Sequence, residues 1–186
     1  LDRLGVVLRV GTAVAGLDRD AHGDLVVTST GGVRDRFDAV VNCTGGSADQ
    51  GLDGISAIPM KSTIGILAFT PPVATTLRRQ FHADDLDVRP DGSGRLMIHK
   101  IAIDDLISEP RALQTNGPEA VALLEAARAF LPVLDKVGIE AIRTTVRPIP
   151  GDGLPCAGRM PEIDGYYVAV THSGVTIAPQ LGKLLA

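Results

Sequence analysis

Three segments of this chain carry residue types that could do chemistry. In the first, Val40-Val41-Asn42-Cys43-Thr44-Gly45-Gly46, an apolar run enters a glycine pair, as a buried parallel strand does where backbone must pass close to something. The second runs from Val146 through Arg147-Pro148-Ile149-Pro150-Gly151-Asp152-Gly153-Leu154-Pro155-Cys156-Ala157 to Gly158, and puts an arginine before a turn-rich loop. A guanidinium is a fork of donors that matches a planar carboxylate with two parallel hydrogen bonds. The third, Tyr166 to Pro179, reads as strand, then His172-Ser173-Gly174, then helix. A helix start leaves backbone N–H groups unpaired, and a flat, electron-rich ligand edge would suit them. Taken singly, each segment also has a plain structural reading: a strand end, a loop, a capped helix start.

The elements that must position these segments are short and β-rich. Gly5 to Val10, Thr12 to Leu17, Leu25 to Thr30 and Val33 to Phe37 read as strands, with Gly31-Gly32 as a hairpin turn. Residues 47–60 read as loop, and Ser62 to Thr70 as a strand stopped by Pro71-Pro72. Leu86 to Arg89 and Arg95 to His99 form a hairpin around Pro90-Asp91-Gly92-Ser93-Gly94. A helix starts at Pro118 after Gly117, with Val121, Leu124, Ala127 and Leu131 on one face, and Pro132 stops it. Ile139 to Arg147 is extended, with Arg143, Thr145 and Arg147 alternating with Ile142, Thr144 and Val146. Tyr166 to Thr171 is a buried strand and Thr176 to Ala186 a helix. The fold class is α+β or α/β with a large antiparallel component.

Composition narrows the function classes. The 186 residues are 45% apolar and 22% charged, the profile of a globular chain. Lys and Arg number 18 against 22 for Asp and Glu, a net charge of −4 that argues against a nucleic-acid partner. With four Phe, two Tyr and no Trp, stacking platforms for bases or sugars are not expected. Two distant cysteines, Cys43 and Cys156, make neither a zinc site nor a disulfide framework, and a reducing cytoplasm is the expected compartment. The four histidines lack metal-ligand spacing, so no metal is expected. No apolar run reaches membrane-spanning length and no signal peptide opens the chain. G-x-G-x-x-G, the phosphate-loop motif and the G-x-S-x-G elbow are all missing. Asn42-Cys43-Thr44 matches a glycosylation sequon but falls in a strand expected to be buried.

In combination and in this order, the three segments resemble the FAD-dependent oxidoreductases of the D-amino-acid oxidase superfamily, close to its glycine oxidase-like members. The resemblance rests on R-P-x-x-x-D-G-x-P-x-x-G, from Arg147 to Gly158, and on G-H-S-G-x-x-x-A-P, from Thr171 to Pro179. The V-V-N-x-x-G strand from Val40 to Gly45 is the usual companion, and Gly11-Thr12-Ala13-Val14 is similar to the adenine-side strand. The chain departs from the pattern at Thr171, where glycine is usual, and at Cys156, within the Asp-Gly-x-Pro loop. It also starts at Leu1 without the opening strand–glycine-rich loop–helix, and so reads as a fragment expected to hold FAD weakly or not at all by itself.

The resemblance implies a partial, Rossmann-like FAD-binding domain from residues 1–54 and 148–186, and a mostly antiparallel substrate-binding sheet from 55–147. It places Val14 at the adenine and passes the cofactor along Thr44, Gly45 and Gly46. It brings the amides of His172, Ser173, Gly174, Val175, Thr176 and Ile177 to the pyrimidine edge of the flavin. Arg147 then holds the carboxylate of an amino acid or related amine. Arg143 is the alternative anchor, and His172 could touch substrate, with a capping or backbone-holding role as its plain reading. The plain reading of Arg147 is a strand arginine paired to Asp152 or to a loop carbonyl, and Cys156 reads as a buried thiol. Two functions remain open: an amino-acid oxidising flavoenzyme, or an FAD-free domain that binds a small carboxylate or a protein partner.

Overall fold

The structure, a computed structural model, describes residues 4–52 and 54–186. In chain order come strands β1 (Val14–Arg19), β2 (Leu25–Ser29), β3 (Arg34–Phe37) and β4 (Val40–Asn42), then a short 3-10 helix, Gly45–Gln50. Strands β5 (Met60–Phe69), β6 (Phe81–Ala83), β7 (Leu86–Pro90) and β8 (Leu96–Lys100) follow, with helices α1 (Ile101–Asp104) and α2 (Pro118–Arg128) after them. A 3-10 turn at Pro132–Leu134 leads into β9 (Ala141–Pro150), β10 (Cys156–Arg159), β11 (Tyr166–Val170) and α3 (Gly174–Leu185). Helices and mostly antiparallel sheets are mixed, as the β-rich sequence with few helical stretches predicts.

The chain divides into two units, one holding both ends, up to Lys61 and from Pro148, the other running from Ser62 to Arg147. In the first unit β1, β2 and β3 form an antiparallel meander in which Leu17 faces Val27 and Val27 faces Asp35. A second sheet has the order β10-β11-β4. There β4 lies parallel to β11, with Val40 beside Tyr166 and Asn42 beside Val168, the parallel pairing expected of so apolar a run. Leu17, Leu25, Ala48, Met160, Tyr166, Val168 and Val170 make the core of this unit. Residues 55–61, assigned from sequence to the substrate domain, pack here instead, because Ile55, Ile58 and Met60 join that core.

The second unit is built on a five-stranded sheet of order β6-β7-β8-β5-β9. The β7–β8 hairpin is in the register Val88 to Ile98 and Pro90 to Leu96. Ile64, Ile66, Ala68, Val88, Leu96 and Ile98 pack on Leu123, Leu124, Ala127 and Leu134. Each such Leu or Ile, fully buried, stabilises the unit by roughly 1.5–3 kcal/mol over its exposed state.

Two sequence expectations need correcting. Gly5 to Val10 forms no strand: Val7, Leu8 and Val10 are exposed, and among the described residues no neighbouring strand offers ladder partners. Gly5 and Gly11, both at φ +67, break the extended backbone at either end. On α2 the buried face is Ala120, Leu123, Leu124 and Ala127, whereas Val121 is exposed. The helix ends at Arg128, before Leu131, and Pro132 opens the 3-10 turn that follows.

Candidate functional site

In the first unit the chemistry gathers at the C-terminal end of β4. Asn42 shapes the turn: its Oδ1 accepts the Thr44 N–H at 3.0 Å and the Thr44 hydroxyl at 2.8 Å. Its Nδ2 donates to the Tyr166 hydroxyl at 2.9 Å, tying the turn to β11. This leaves no role for Asn42 as a free sequon amide. A cleft of about 610 Å³ opens beside it, with Cys43, Gly45, Pro148, Thr171, Gly174 and Val175 in its wall. A second cleft, of about 450 Å³, takes Thr12, Val14, Asn42, Cys43, Thr44 and Tyr166.

Helix α3 starts at the larger cleft. Its Thr176 and Ile177 N–H groups both reach the Ser173 carbonyl at 3.0 Å, and Ser173 itself supplies no side-chain cap. Among the described residues no acceptor meets the Gly174 or Val175 N–H. Pro179, inside α3, has no N–H to return to the Val175 carbonyl. Thr171 accepts the Ser173 N–H on its hydroxyl at 3.2 Å and steadies the turn. A Cβ added at Gly174 would meet nothing nearer than Thr171 Cγ2 at 3.9 Å, and one at Gly46 nothing within 4 Å. Backbone there is open to the close approach of a flat group.

The second unit carries a different kind of site. Arg147 Nη2 is ion-paired with Asp104, whose side chain is only 2% exposed. Asp104 Oδ1 accepts the Ile66 N–H at 2.7 Å, and its Oδ2 accepts from His99 Nε2 at 2.8 Å. The ladder between β5 and β8 is paired at Ala68–Ile98 and Phe69–Met97, and the α1 carboxylate takes the Ile66 amide two residues further along β5. Nδ1 of His99 lies 3.5 Å from Asp87 Oδ2. Asp87 Oδ1 in turn accepts from Gln80 at 2.6 Å and pairs with His82 Nδ1 at 2.9 Å.

These contacts set the protonation states. Burial first, then the charge of Arg147, pulls the His99 pKa below its ordinary value, with Asp87 opposing. His99 is therefore neutral at neutral pH, with its proton on Nε2 facing Asp104. Burial tends to raise the Asp87 pKa, but hydrogen bonds from His82 and Gln80, with His99 beside it, outweigh it and hold the carboxyl below its usual range. Burial also lowers the Arg147 pKa from its ordinary value.

The whole chain, residues 1–186, matches the DAO family of FAD dependent oxidoreductases. The chain belongs to this family. It is 28% identical over 190 residues to a glycine oxidase from Geobacillus kaustophilus (strain HTA426), covering 98% of this chain and 48% of the relative. A glycine oxidase from Bacillus licheniformis is 31% identical over 114 residues, 60% of this chain and 30% of that protein. Among solved structures, glycine oxidase from Geobacillus kaustophilus superposes with a TM-score of 0.75 at 25% identity, over 97% of this chain and 48% of its own. L-amino acid deaminase from Proteus vulgaris shares the fold, with a TM-score of 0.77 at 19% identity over 98% of this chain and 46% of its own. The chain thus spans about half the length of the glycine oxidase that it matches from end to end.

The family's name implies FAD, and the first unit fits part of it: two apolar clefts, open backbone at small residues and unpaired N–H groups at a helix start. The sequence-derived residues distribute unevenly over these features. Gly45, Gly174 and Val175 line the larger cleft, and Val14 and Thr44 the smaller. Gly46, His172, Ser173, Thr176 and Ile177 line neither. His172 is exposed and makes no side-chain hydrogen bond among the described residues, so no capping role is seen. Cys156 is a free, half-buried thiol on β10 opposite Val170.

In the second unit Arg143 lies over the Phe69 ring at 5.1 Å, while Arg147 lies over Gly65. Arg143 and Arg147 thus cross the same face of β5. Among the described residues Arg147 pairs with Asp104 rather than with Asp152 or a loop carbonyl, and Asp152 accepts the Leu154 N–H at 2.9 Å. Asn42, Asp104, His99, Asp87 and Gly65 were missed. An Asn at a strand end, two residues before Thr44-Gly45, is a turn signal that could have flagged the first. Nothing in local spacing joins Asp104 to Arg147.

Proposed function

We propose that the whole protein is an FAD-dependent oxidoreductase that oxidises an amino acid or a related amine, with the first unit holding cofactor and the second binding substrate. One observation carries this reading most. Strand β11 leads into α3, whose first two N–H groups meet no acceptor among the described residues and lie at an apolar cleft, in a chain that matches an FAD dependent family from end to end. The names of its glycine oxidase and L-amino acid deaminase relatives support an amino-acid substrate.

In this reading Val14 meets the adenine side, and Thr44, Gly45 and Gly46 pass the cofactor with backbone. Within the run from His172 to Ile177, the Gly174 and Val175 amides, without acceptors among the described residues, meet the pyrimidine edge, where the positive end of the α3 dipole favours negative charge. Ser173 and Gly174 are small because a longer side chain would hold a flat ring away from these donors. When bound, FAD supplies the acceptor for the hydride that leaves the substrate carbon. Arg147 supplies the fork for the substrate carboxylate, with Arg143 as the alternative anchor and His172 at most a peripheral contact. A cytoplasmic setting completes the reading, since Cys43 and Cys156 are both free thiols.

The test is the visible absorption spectrum of the purified whole protein, followed anaerobically during addition of a panel of amino acids and amines. A flavin spectrum bleached by α-amino acids is the expected result. A flavin bleached only by amines without a carboxylate would remove the role given to Arg147. A protein without flavin would favour the FAD-free carboxylate-binding domain.

A further inference from the structure

We infer that Asp104 and Gly65 position the Arg147 guanidinium, so that the chain presents one fixed edge of the fork to a carboxylate; the inference rests on the reading of Arg147 as substrate anchor. Three observations carry it. The first is the bed under the arginine. A Cβ on Gly65 would stand 3.0 Å from Arg147 Nε, 3.5 Å from Cγ and 3.7 Å from Cδ. The arginine stem therefore lies flat on β5 backbone, at a place where any larger residue would lift it.

The second is that Asp104 is itself fixed. It is buried, and the Ile66 N–H and His99 Nε2 hold its two oxygens at 2.7 and 2.8 Å. A carboxylate so held cannot turn away from Arg147, and it occupies Nη2 alone. Among the described residues no protein acceptor reaches Nη1, so that side of the fork stays free for a ligand.

The third is the contrast on the same strand. Arg143, on the same face of β5, has among the described residues only the Phe69 ring beneath its guanidinium and is exposed. An arginine loses much rotamer freedom when it binds a ligand, and one already fixed in place has less to lose. This separates Arg147 from Arg143 as anchor.

The opposite expectation is simple competition: Asp104 occupies the guanidinium, and its removal frees Arg147 to bind a carboxylate more tightly. The experiment uses the whole protein, labelled with nitrogen-15, with acetate as the carboxylate probe. The side-chain N–H signals of Arg147 are assigned by their loss in Arg147→Lys. In wild type the Arg147 signal should be sharp and should move on acetate addition. Asp104→Asn keeps an acceptor for the Ile66 N–H but removes the charge. It should broaden the Arg147 signal and weaken acetate at least about tenfold, the size of one charge-assisted contact.

Gly65→Ala lifts the stem without removing either charge of the ion pair, and should weaken acetate in the same direction. It carries the test alone if Asp104→Asn does not fold, as judged by its amide spectrum. Acetate binding equal to or tighter than wild type in a folded Asp104→Asn or Gly65→Ala protein overturns the inference. If acetate leaves Arg147 unmoved in wild type while Asp104→Asn still broadens its signal, the positioning stands and the anchor reading fails.

Discussion

The two units differ in the kind of group that they present. The first offers backbone: a helix start whose first two N–H groups meet no acceptor among the described residues, a turn shaped by Asn42, and an apolar cleft bordered by Gly45 and Gly174. The second offers charge: Arg147, Asp104, His99 and Asp87 connected through the middle of a sheet. All three buried polar or charged residues among those described, Thr70, Asp104 and Glu119, belong to the second unit. Backbone donors have fixed partial charges and do not titrate. Side-chain charges must be desolvated, paired and aimed, so their site depends on contacts distant in sequence.

This difference predicts where substitutions hurt. The largest effect should come from Asp104→Ala, which leaves Arg147 desolvated without its counter-charge. Breaking one partner of a buried pair costs about 3–5 kcal/mol, and urea unfolding should report a loss of that size. A loss below about 1 kcal/mol, the value of an exposed pair, would mean that water reaches the pair in solution and would erase the contrast.

In the first unit the vulnerable points are places where backbone is crowded. Gly165 has φ +76, and a Cβ there would stand 2.9 Å from Leu25 Cδ1 and 3.1 Å from the Asp38 carbonyl oxygen. Gly165→Ala should destabilise by about 1–3 kcal/mol through overpacking, measured in the same urea series. A neutral result would show that the β2 and β4 ends adjust freely, and that this unit is looser than its packing implies.

How much of this was legible in sequence follows the same division. The turn at Thr44-Gly45-Gly46, the strand-to-helix step after Val170 and the β7–β8 hairpin are each written in a handful of consecutive residues. So was the antiparallel bias of the fold. The Arg147 environment was not legible, because Asp104 reaches it only once β5, β8 and β9 are side by side. Nor could periodicity tell that Gly5 to Val10 lacks a partner strand: an apolar β-branched run looks the same whether or not a neighbour pairs with it. On α2, the stripe through Val121 and Leu124 was misplaced by a fraction of a turn, because Ala120 and Leu123 form the side that meets β8.

A smaller effect should separate the units by pH. His99 has a folded pKa below its ordinary value of about 6.5, so the unfolded chain takes up its proton first as pH falls. Stability from this group is therefore complete above that range and declines as pH drops through it toward the folded pKa. His99→Gln should flatten the fall in melting temperature between about pH 7 and pH 5, relative to wild type. Equal slopes in the two proteins would show that His99 titrates as it would in water.

The most direct measurement compares wild type, Arg147→Lys and Arg143→Lys in the whole protein, for flavin content and for the rate of flavin reduction by amino acids. Lysine keeps the charge and loses the fork. The account predicts normal flavin content in all three, with reduction at low amino-acid concentration slowed roughly ten- to a hundredfold by Arg147→Lys alone, equivalent to about 1.5–3 kcal/mol. Slowing by Arg143→Lys instead would move the anchor to Arg143. Unchanged rates in both variants, or loss of flavin on Arg147→Lys, would contradict the assignment of cofactor to a backbone-built site and substrate to a charge-built one.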